Sequence, residues 1–122
     1  MINHHQSNDW KMFWIIENKD LKSLEQLCQQ LKTNNQDINM YFNMKSWQKI
    51  FTPEEAQQIK VYMRGLMDFC PVQHAFYLGW VQGFKCLYDN QIGCQTQGCG
   101  LGIIDLEKFY DSCKSHPEYL LS

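Results

Sequence analysis

Four cysteines in the second half of the chain come closest to a metal site in residue type and spacing. Cys94 and Cys99 have a CxxxxC spacing among glycines, and Cys86 and Cys113 lie on the helices predicted on either side. Four thiolates could hold a tetrahedral zinc ion at sulfur–metal distances of about 2.3 Å. The two CxxC pairs that specify such a site do not occur, so the spacing favours a loop with free thiols or one local disulfide. We therefore predict no cofactor, with zinc at these four cysteines as the alternative.

A second chemical pattern pairs Cys70 with His74 at the i, i+4 spacing of a thiol nucleophile and its base. Cys70 precedes a helix start, where the thiol pKa is lowered. No third residue orients His74, however, so a helix-capping cysteine beside a surface or half-buried histidine is the simpler interpretation. The glycine run 98–102 lacks the Lys-Ser/Thr pair of a phosphate loop, and the carboxylates lack Glu-x-x-His pairs. We predict that the chain is not an enzyme.

The stretch Val72–Tyr88 must position these side chains, and we predict it as a single helix of more than four turns. Its apolar residues fall on every side, which is typical of a core helix surrounded by other helices. Gly79 and Gly83 lie four residues apart, which predicts a stripe where another backbone approaches closely. Polar residues interrupt the stretch, which falls short of the roughly 18 uncharged residues of a membrane span. It is therefore predicted to be the buried centre of the domain.

Shorter patterns predict the helices around this centre. Asp20 is a candidate N-cap for an amphipathic helix with apolar residues at i, i+3, i+4 and i+7. These are Leu24, Leu27, Cys28 and Leu31. Thr52-Pro53-Glu54-Glu55 has the form of a capping box with proline at the first helical position. The helix that follows is predicted to run to about Phe69, where Cys70-Pro71 breaks it. Asp105 should cap a last helix.

Two segments fit either a helix or a strand. Asp9–Asn18 combines helical spacing with a β-branched pair, and Ile38–Phe51 begins with alternation but carries a stripe of helical spacing. We prefer a helix for the second segment. The fold is then all-α, a compact bundle of four or five helices around residues 72–88. The alternative is α+β with two short N-terminal strands. Residues 1–8 are predicted as a flexible tail and residues 9–122 as a single helical domain.

Composition narrows the classes of function and the compartment. The chain has 122 residues, a formal net charge of −2 and six cysteines. Its Lys and Arg residues are scattered, which argues against a nucleic-acid partner. The segment Met1–Asp9 is polar and has no apolar core of a secretory signal. Cysteines within apolar helical segments suit a reducing compartment. We expect a cytoplasmic protein without membrane contact, with delivery into a host cytosol as an alternative.

Aromatic and methionine side chains are concentrated in the first half of the chain, and such residues are enriched at protein interfaces. One small bundle has limited interior space for them. We therefore expect some of them to face a protein partner, together with two glutamines of the loop 90–102. The candidates are Trp10, Trp14, Tyr41, Met44, Trp47, Gln95 and Gln97.

In size, polarity and richness in Gln, Asn and Lys, the whole chain resembles the small effector-regulating proteins of bacteria such as Legionella. The resemblance implies a protein that binds a larger partner enzyme and inhibits or tunes it. No motif carries it, so no residue roles are transferred. We expect a non-enzymatic interaction module, an inhibitor or adaptor of a larger protein. A thiol-dependent or zinc-stabilised protein using the Cys94/Cys99 loop, and a homodimer formed through the aromatic face, are the alternatives.

Overall fold

The computed structural model describes residues 7–60, 68–93 and 111, and in this part of the chain the fold is all-α. Its helices are α1 (Asn8–Glu17), α2 (Leu21–Asn34), α3 (Met44–Trp47), α4 (Pro53–Gln58), α5 (Pro71–Tyr77) and α6 (Val81–Asp89). The predicted fold class is confirmed. The described residues contain no strand, only an isolated antiparallel bridge between Phe42 and Phe69. No helix among them has the length and apolar character needed to cross a membrane. The predicted helix after Asp105 lies outside the described residues.

The four longest described helices pack in a closed ring in which α1 contacts α2, α2 contacts α6, α6 contacts α5, and α5 contacts α1. Asp20 caps α2 as predicted, because its carboxylate accepts hydrogen bonds from the Ser23 backbone N–H at 3.2 Å and the Ser23 hydroxyl at 2.6 Å. The predicted apolar stripe of α2 is buried in the ring. It consists of Leu24, Leu27, Cys28 and Leu31.

The central stretch forms two helices, so the prediction of one long helix over residues 72–88 is wrong. Gly79, with φ +68°, ends α5, and the chain turns into α6. The Gly79 N–H donates to the Phe76 carbonyl at 3.0 Å and the Trp80 N–H to the Ala75 carbonyl at 2.9 Å. These two bonds are a Schellman motif, in which glycine takes the left-handed position at no steric cost.

Gly79 and Gly83 do not serve the close approach of another backbone that we predicted. A Cβ atom added to Gly83 would lie 2.1 Å from Cε3 of Trp80, whereas one added to Gly79 would meet nothing within 4 Å. Gly83 therefore makes room for the Trp80 side chain of its own helix end, and Gly79 serves the turn. If Gly79 had been taken as a helix stop, the sequence would have predicted two helices here instead of one.

The described residues before α5 are less helical than predicted. In Ile38–Phe51 only α3 is α-helical, and α4 ends at Gln58 instead of continuing to about Phe69. The capping box at the start of α4 is confirmed. At the other end the Lys60 N–H donates to Oε2 of Glu17 at 2.6 Å, in place of a helical carbonyl. This bond ties the segment after α4 to α1.

Part of the hydrophobic core of the described residues is an aromatic cluster centred on Phe13 of α1. The Phe13 ring contacts five other rings, with centroid distances from 4.8 to 5.9 Å. These belong to Trp14, Phe42, Trp47, Phe51 and His74. The aromatic residues of the first half of the chain therefore pack largely on one another, and this packing determines which of them reach the surface.

Candidate functional site

A groove of about 290 Å³ runs between α1 and α2 on the surface of the ring. Residues spaced three or four apart along α1 and its C-terminal turn form one side, and residues of the α2 N-terminus form the other. They are Lys11, Trp14, Ile15 and Asn18 on the first side, and Asp20, Ser23 and Leu27 on the second. The floor of this α1–α2 groove is apolar and its rim is polar.

Trp14 is the large side chain of the groove and is held by three other rings. Its centroid lies 5.2 Å from that of Phe13, 6.1 Å from Phe51 and 6.2 Å from Trp10, each in an edge-to-face arrangement. Within the described residues its indole Nε1 is buried without a hydrogen-bond partner. A buried donor that makes no bond costs about 1–3 kcal/mol. Tryptophan at this position therefore lowers the stability of the fold relative to an apolar ring.

The polar residues of the groove rim are tied into the two helix ends. The Asn18 side-chain amide donates to the Trp14 carbonyl at 2.9 Å. The hydrogen bonds from Ser23 lower the pKa of Asp20, so this carboxylate is ionised at neutral pH. Lys11 and Asp20 place opposite charges on the rim. The groove thus combines a fixed aromatic floor with a charged, solvent-facing border.

The structure separates the residues predicted to bind a partner. Trp10, Met44 and Trp47 are buried, with exposed fractions of 3%, 0% and 7%. They belong to the core and offer a partner almost no surface, because the aromatic core absorbs them. Trp14 and Tyr41 are half-buried. Gln95 and Gln97 lie outside the described residues.

Tyr41 does not join Trp14 in one site. It lines a separate polar depression with Met40, the start of α1 and Asp37. Among the described aromatic residues that we expected to face a partner, Trp14 in the α1–α2 groove and Tyr41 in the separate depression therefore keep exposed surface.

A buried carboxylate–imidazole pair, which the sequence analysis missed, joins α1 to α5. Nε2 of His74 lies 2.7 Å from Oε1 of Glu17, and both side chains are at most 1% exposed. The prediction of a surface or half-buried His74 is therefore wrong. The sequence did hold a signal, because His74 interrupts the apolar stretch Val72–Tyr88 and Glu17 directly follows the apolar run Met12–Ile16. The sequence analysis did not single out Glu17.

The surroundings of His74 keep its imidazole neutral. Burial lowers the pKa of His74, and this effect exceeds the opposing effect of the bond to Glu17. The ring stacks on Phe13 at 4.8 Å. In the neutral form Nε2–H donates to the Glu17 carboxylate, which leaves Nδ1 as a buried acceptor without a partner in the described residues. The pair links α1, α5 and the segment after α4.

The structure does not join Cys70 and His74 as nucleophile and base. The Cys70 thiol donates to Oε1 of Gln73 at 3.3 Å, and the same oxygen accepts the Cys70 N–H at 3.1 Å. His74 bonds to Glu17 instead. Both Cys70 and His74 are fully buried, so a substrate could not reach them in this conformation. Cys70 caps α5, as the simpler interpretation of the sequence stated.

Of the four cysteines in the zinc alternative, the structure describes Cys86; Cys94, Cys99 and Cys113 lie outside the described residues. Within residues 7–60, 68–93 and 111, no group of three or more His, Cys, Asp or Glu side chains could hold a metal ion. The alternative that uses the Cys94/Cys99 loop stays a prediction.

Comparisons with family models, with curated proteins and with solved structures find no match for this chain.

Proposed function

We propose that this chain is a non-enzymatic protein-interaction module, an inhibitor or adaptor that binds a segment of a larger partner protein in the α1–α2 groove. The observation that supports this function is Trp14, an aromatic side chain held rigidly at the floor of an open groove. Tryptophan is enriched among the residues that dominate binding energy at interfaces. An apolar centre with a polar rim is also the usual anatomy of such a surface.

The geometry of the groove favours a helix of the partner as the bound segment. The lining residues of α1 span Lys11 to Asn18, which is about two helical turns or roughly 10 Å. A partner helix that lies between α1 and α2 would bury its apolar face against both of them, which is the geometry of helix-in-groove recognition. The rim charges of Lys11 and Asp20 would then fix the orientation of the partner helix.

Photo-crosslinking in the source cells tests the position of the interface. A photo-reactive amino acid at Lys11, on the groove rim, should crosslink to a partner protein. The same group at Gln26, exposed on α2 but outside the groove lining, should not. Equal crosslinking from both positions would contradict the proposed interface. Crosslinks to a second copy of the chain would show that the groove serves self-association instead.

Matched arginine substitutions then test the groove with the purified partner. Ser23→Arg places a bulky cation on the rim and should weaken binding at least tenfold, or about 1.4 kcal/mol. Gln26→Arg adds the same charge three residues away and should leave the affinity unchanged. Isothermal titration calorimetry measures both. If the partner is an enzyme, its rate with and without the chain distinguishes an inhibitor from an adaptor. Equal affinities for the two folded variants would place the interface elsewhere.

Trp14→Phe tests whether the tryptophan serves binding more than folding. Phenylalanine keeps the ring contacts and removes the buried N–H that has no partner. We expect the free energy of unfolding to change by less than about 1 kcal/mol, while partner affinity falls. Trp47→Phe, in the core, should cost more stability because it leaves a cavity. Urea denaturation compares the two variants. A large loss of stability in Trp14→Phe alone would assign Trp14 a packing role.

A further inference from the structure

The polar rim of the α1–α2 groove differs chemically between its two ends. Lys11 is exposed at one end, where its ammonium group offers N–H donors and a positive charge. Asn18 and Asp20 lie at the other end, and Ser23 bonds to Asp20 there. About two helical turns of α1, or roughly 10 Å, separate Lys11 from Asn18. The two ends are therefore far enough apart to contact different residues of a bound helix.

The end that holds Asp20, which we call the acceptor end, offers mainly oxygen acceptors. The Ser23 hydroxyl donates to Oδ2 of Asp20 at 2.6 Å, so its oxygen can only accept a further bond. Each oxygen of the Asp20 carboxylate accepts one bond from Ser23 and keeps a lone pair for another donor. The Asn18 amide donates to the Trp14 carbonyl at 2.9 Å, and its Oδ1 adds another acceptor. Lys22 also acts on the charge of Asp20, but it lies outside the groove lining.

We propose that the partner helix presents an arginine to the acceptor end and an aspartate or glutamate to Lys11, at positions i and i+7 of one face. An apolar residue between them, at i+3 or i+4, lies on Trp14. This inference rests on the proposed function, because it specifies the segment that the groove binds. A helix places these positions on one face, and seven residues span about 10 Å, the separation of the two rim ends.

Arginine suits the acceptor end better than lysine does. Its planar guanidinium carries five N–H donors and pairs with a carboxylate through two parallel hydrogen bonds. It can therefore bond to Asp20 and to a neighbouring oxygen of Asn18 or Ser23 at the same time. A lysine ammonium is a more strongly hydrated point charge and makes no such two-bond pair.

The order of the two charges follows from the dipole of the partner helix itself. An acidic residue stabilises the first turn of a helix, and an arginine stabilises the last turn. With its acid at Lys11 and its arginine at Asp20, the partner helix runs in the same direction as α1, which passes from Lys11 towards Asn18. The bound segment then reads acid, apolar residue, arginine in chain order.

Peptide display against the full-length chain tests this pattern before the natural partner is known. The library holds helical peptides of about 16 residues, or four turns, that are randomised along one face. Selection at physiological ionic strength is followed by removal of the peptides that still bind Ser23→Arg, so the remaining ones need the groove. These peptides should carry the acid and the arginine at i and i+7 in the stated order.

The possible results of the selection separate this inference from the proposed function. Groove-dependent peptides that lack the charge pattern would overturn the inference and leave the groove as the binding site. If every enriched peptide still bound Ser23→Arg, the proposed function itself would be contradicted.

Charge variants then measure each end with one enriched peptide. Lys11→Glu should weaken binding about tenfold or more, and exchanging the peptide's acid for lysine should restore it. Asp20→Asn keeps an N-cap acceptor but removes the charge, so it should weaken binding about tenfold as well. The matched control is Lys49→Glu, an exposed position outside the groove lining with the same change in net charge. Its affinity should stay that of the unchanged chain, and an equal loss in Lys11→Glu and Lys49→Glu would overturn the charge assignment.

Discussion

At the scale of single residues, the Glu17–His74 pair is the most consequential contact of the described core. It replaces water around a carboxylate with two short hydrogen bonds, one from His74 and one from the Lys60 N–H. A buried charge-assisted bond of this kind contributes about 1.5–3 kcal/mol, and removing one partner leaves the other desolvated. The pair therefore determines how firmly α1, α5 and the end of α4 are held together.

Two substitutions with similar shapes test this contact. His74→Phe keeps the stacking on Phe13 but takes the donor from Oε1 of Glu17, and should lower the free energy of unfolding by about 3 kcal/mol. Glu17→Gln keeps an acceptor for Lys60 and can donate to the imidazole, so it should cost only about 1 kcal/mol. Urea denaturation measures both. Equal costs would show that the shape of the site matters more than the bond.

The same histidine predicts a pH dependence of stability. The unfolded chain protonates His74 near its ordinary pKa of 6.5, whereas burial lowers that pKa in the folded state. Between these two values the unfolded state binds more protons, so stability falls as pH falls below about 6.5 and is fully present above it. Unfolding measured from pH 7.5 to 5.0 should show this slope. In His74→Phe the slope should be shallower, and an unchanged slope would assign it to other groups.

At the scale of elements, four helices end in the same Schellman motif with a residue in the left-handed conformation. The residues are Lys19, Asn35, Gly79 and Gln91. In each case the N–H of this residue bonds to the carbonyl three residues before it, and the N–H of the next residue bonds to the carbonyl one position earlier still. Glycine takes this conformation without strain, asparagine tolerates it, and lysine and glutamine pay a steric cost. Only one of these four ends thus carries the residue that usually marks a helix stop.

Lys19→Gly should therefore stabilise the protein by about 0.5–1 kcal/mol, because it removes a strained conformation at an exposed position. Gln26→Gly is the matched control on the exposed side of α2, where glycine should destabilise by about 1 kcal/mol. Thermal unfolding followed by circular dichroism should move the two midpoints in opposite directions. A loss of stability in both variants would mean that the turn after α1 does not carry this strain.

The two glycines of the α5–α6 turn should respond differently to alanine. Gly79→Ala introduces only backbone strain, about 1 kcal/mol, since nothing lies near the new Cβ. Gly83→Ala forces the Trp80 ring to move and should cost about 1–3 kcal/mol through overpacking. Tryptophan fluorescence should shift in the second variant and stay unchanged in the first. A spectral change in Gly79→Ala alone would reverse the assignment of the two roles.

At the scale of the whole molecule, local signals in the sequence were sufficient for the all-α class and for the starts of α2, α4 and α5. Caps and amphipathic stripes act within a few residues and can be recognised directly. Contacts between distant residues could not be predicted in this way. The bond from Lys60 to Glu17, which accompanies the early end of α4, and the packing of Trp10, Met44 and Trp47 into the core depend on which elements meet. Of the residues that line the candidate groove, only Trp14 was among the predicted partner-binding residues, because the groove itself forms only where α1 and α2 pack together.

Helix α1 carries residues of both the α1–α2 groove and the buried carboxylate–imidazole pair. Trp14 lies in the groove, and Glu17 bonds to His74 less than one helical turn away. A movement of α1 caused by a change at one site therefore reaches the other. Thermodynamic reciprocity then fixes a relation between them. If protonation of His74 alters the affinity of the groove for a partner helix by some factor, the bound partner must alter the proton affinity of His74 by the same factor. An NMR titration of the His74 ring with and without partner would read this coupling as a difference in its pKa.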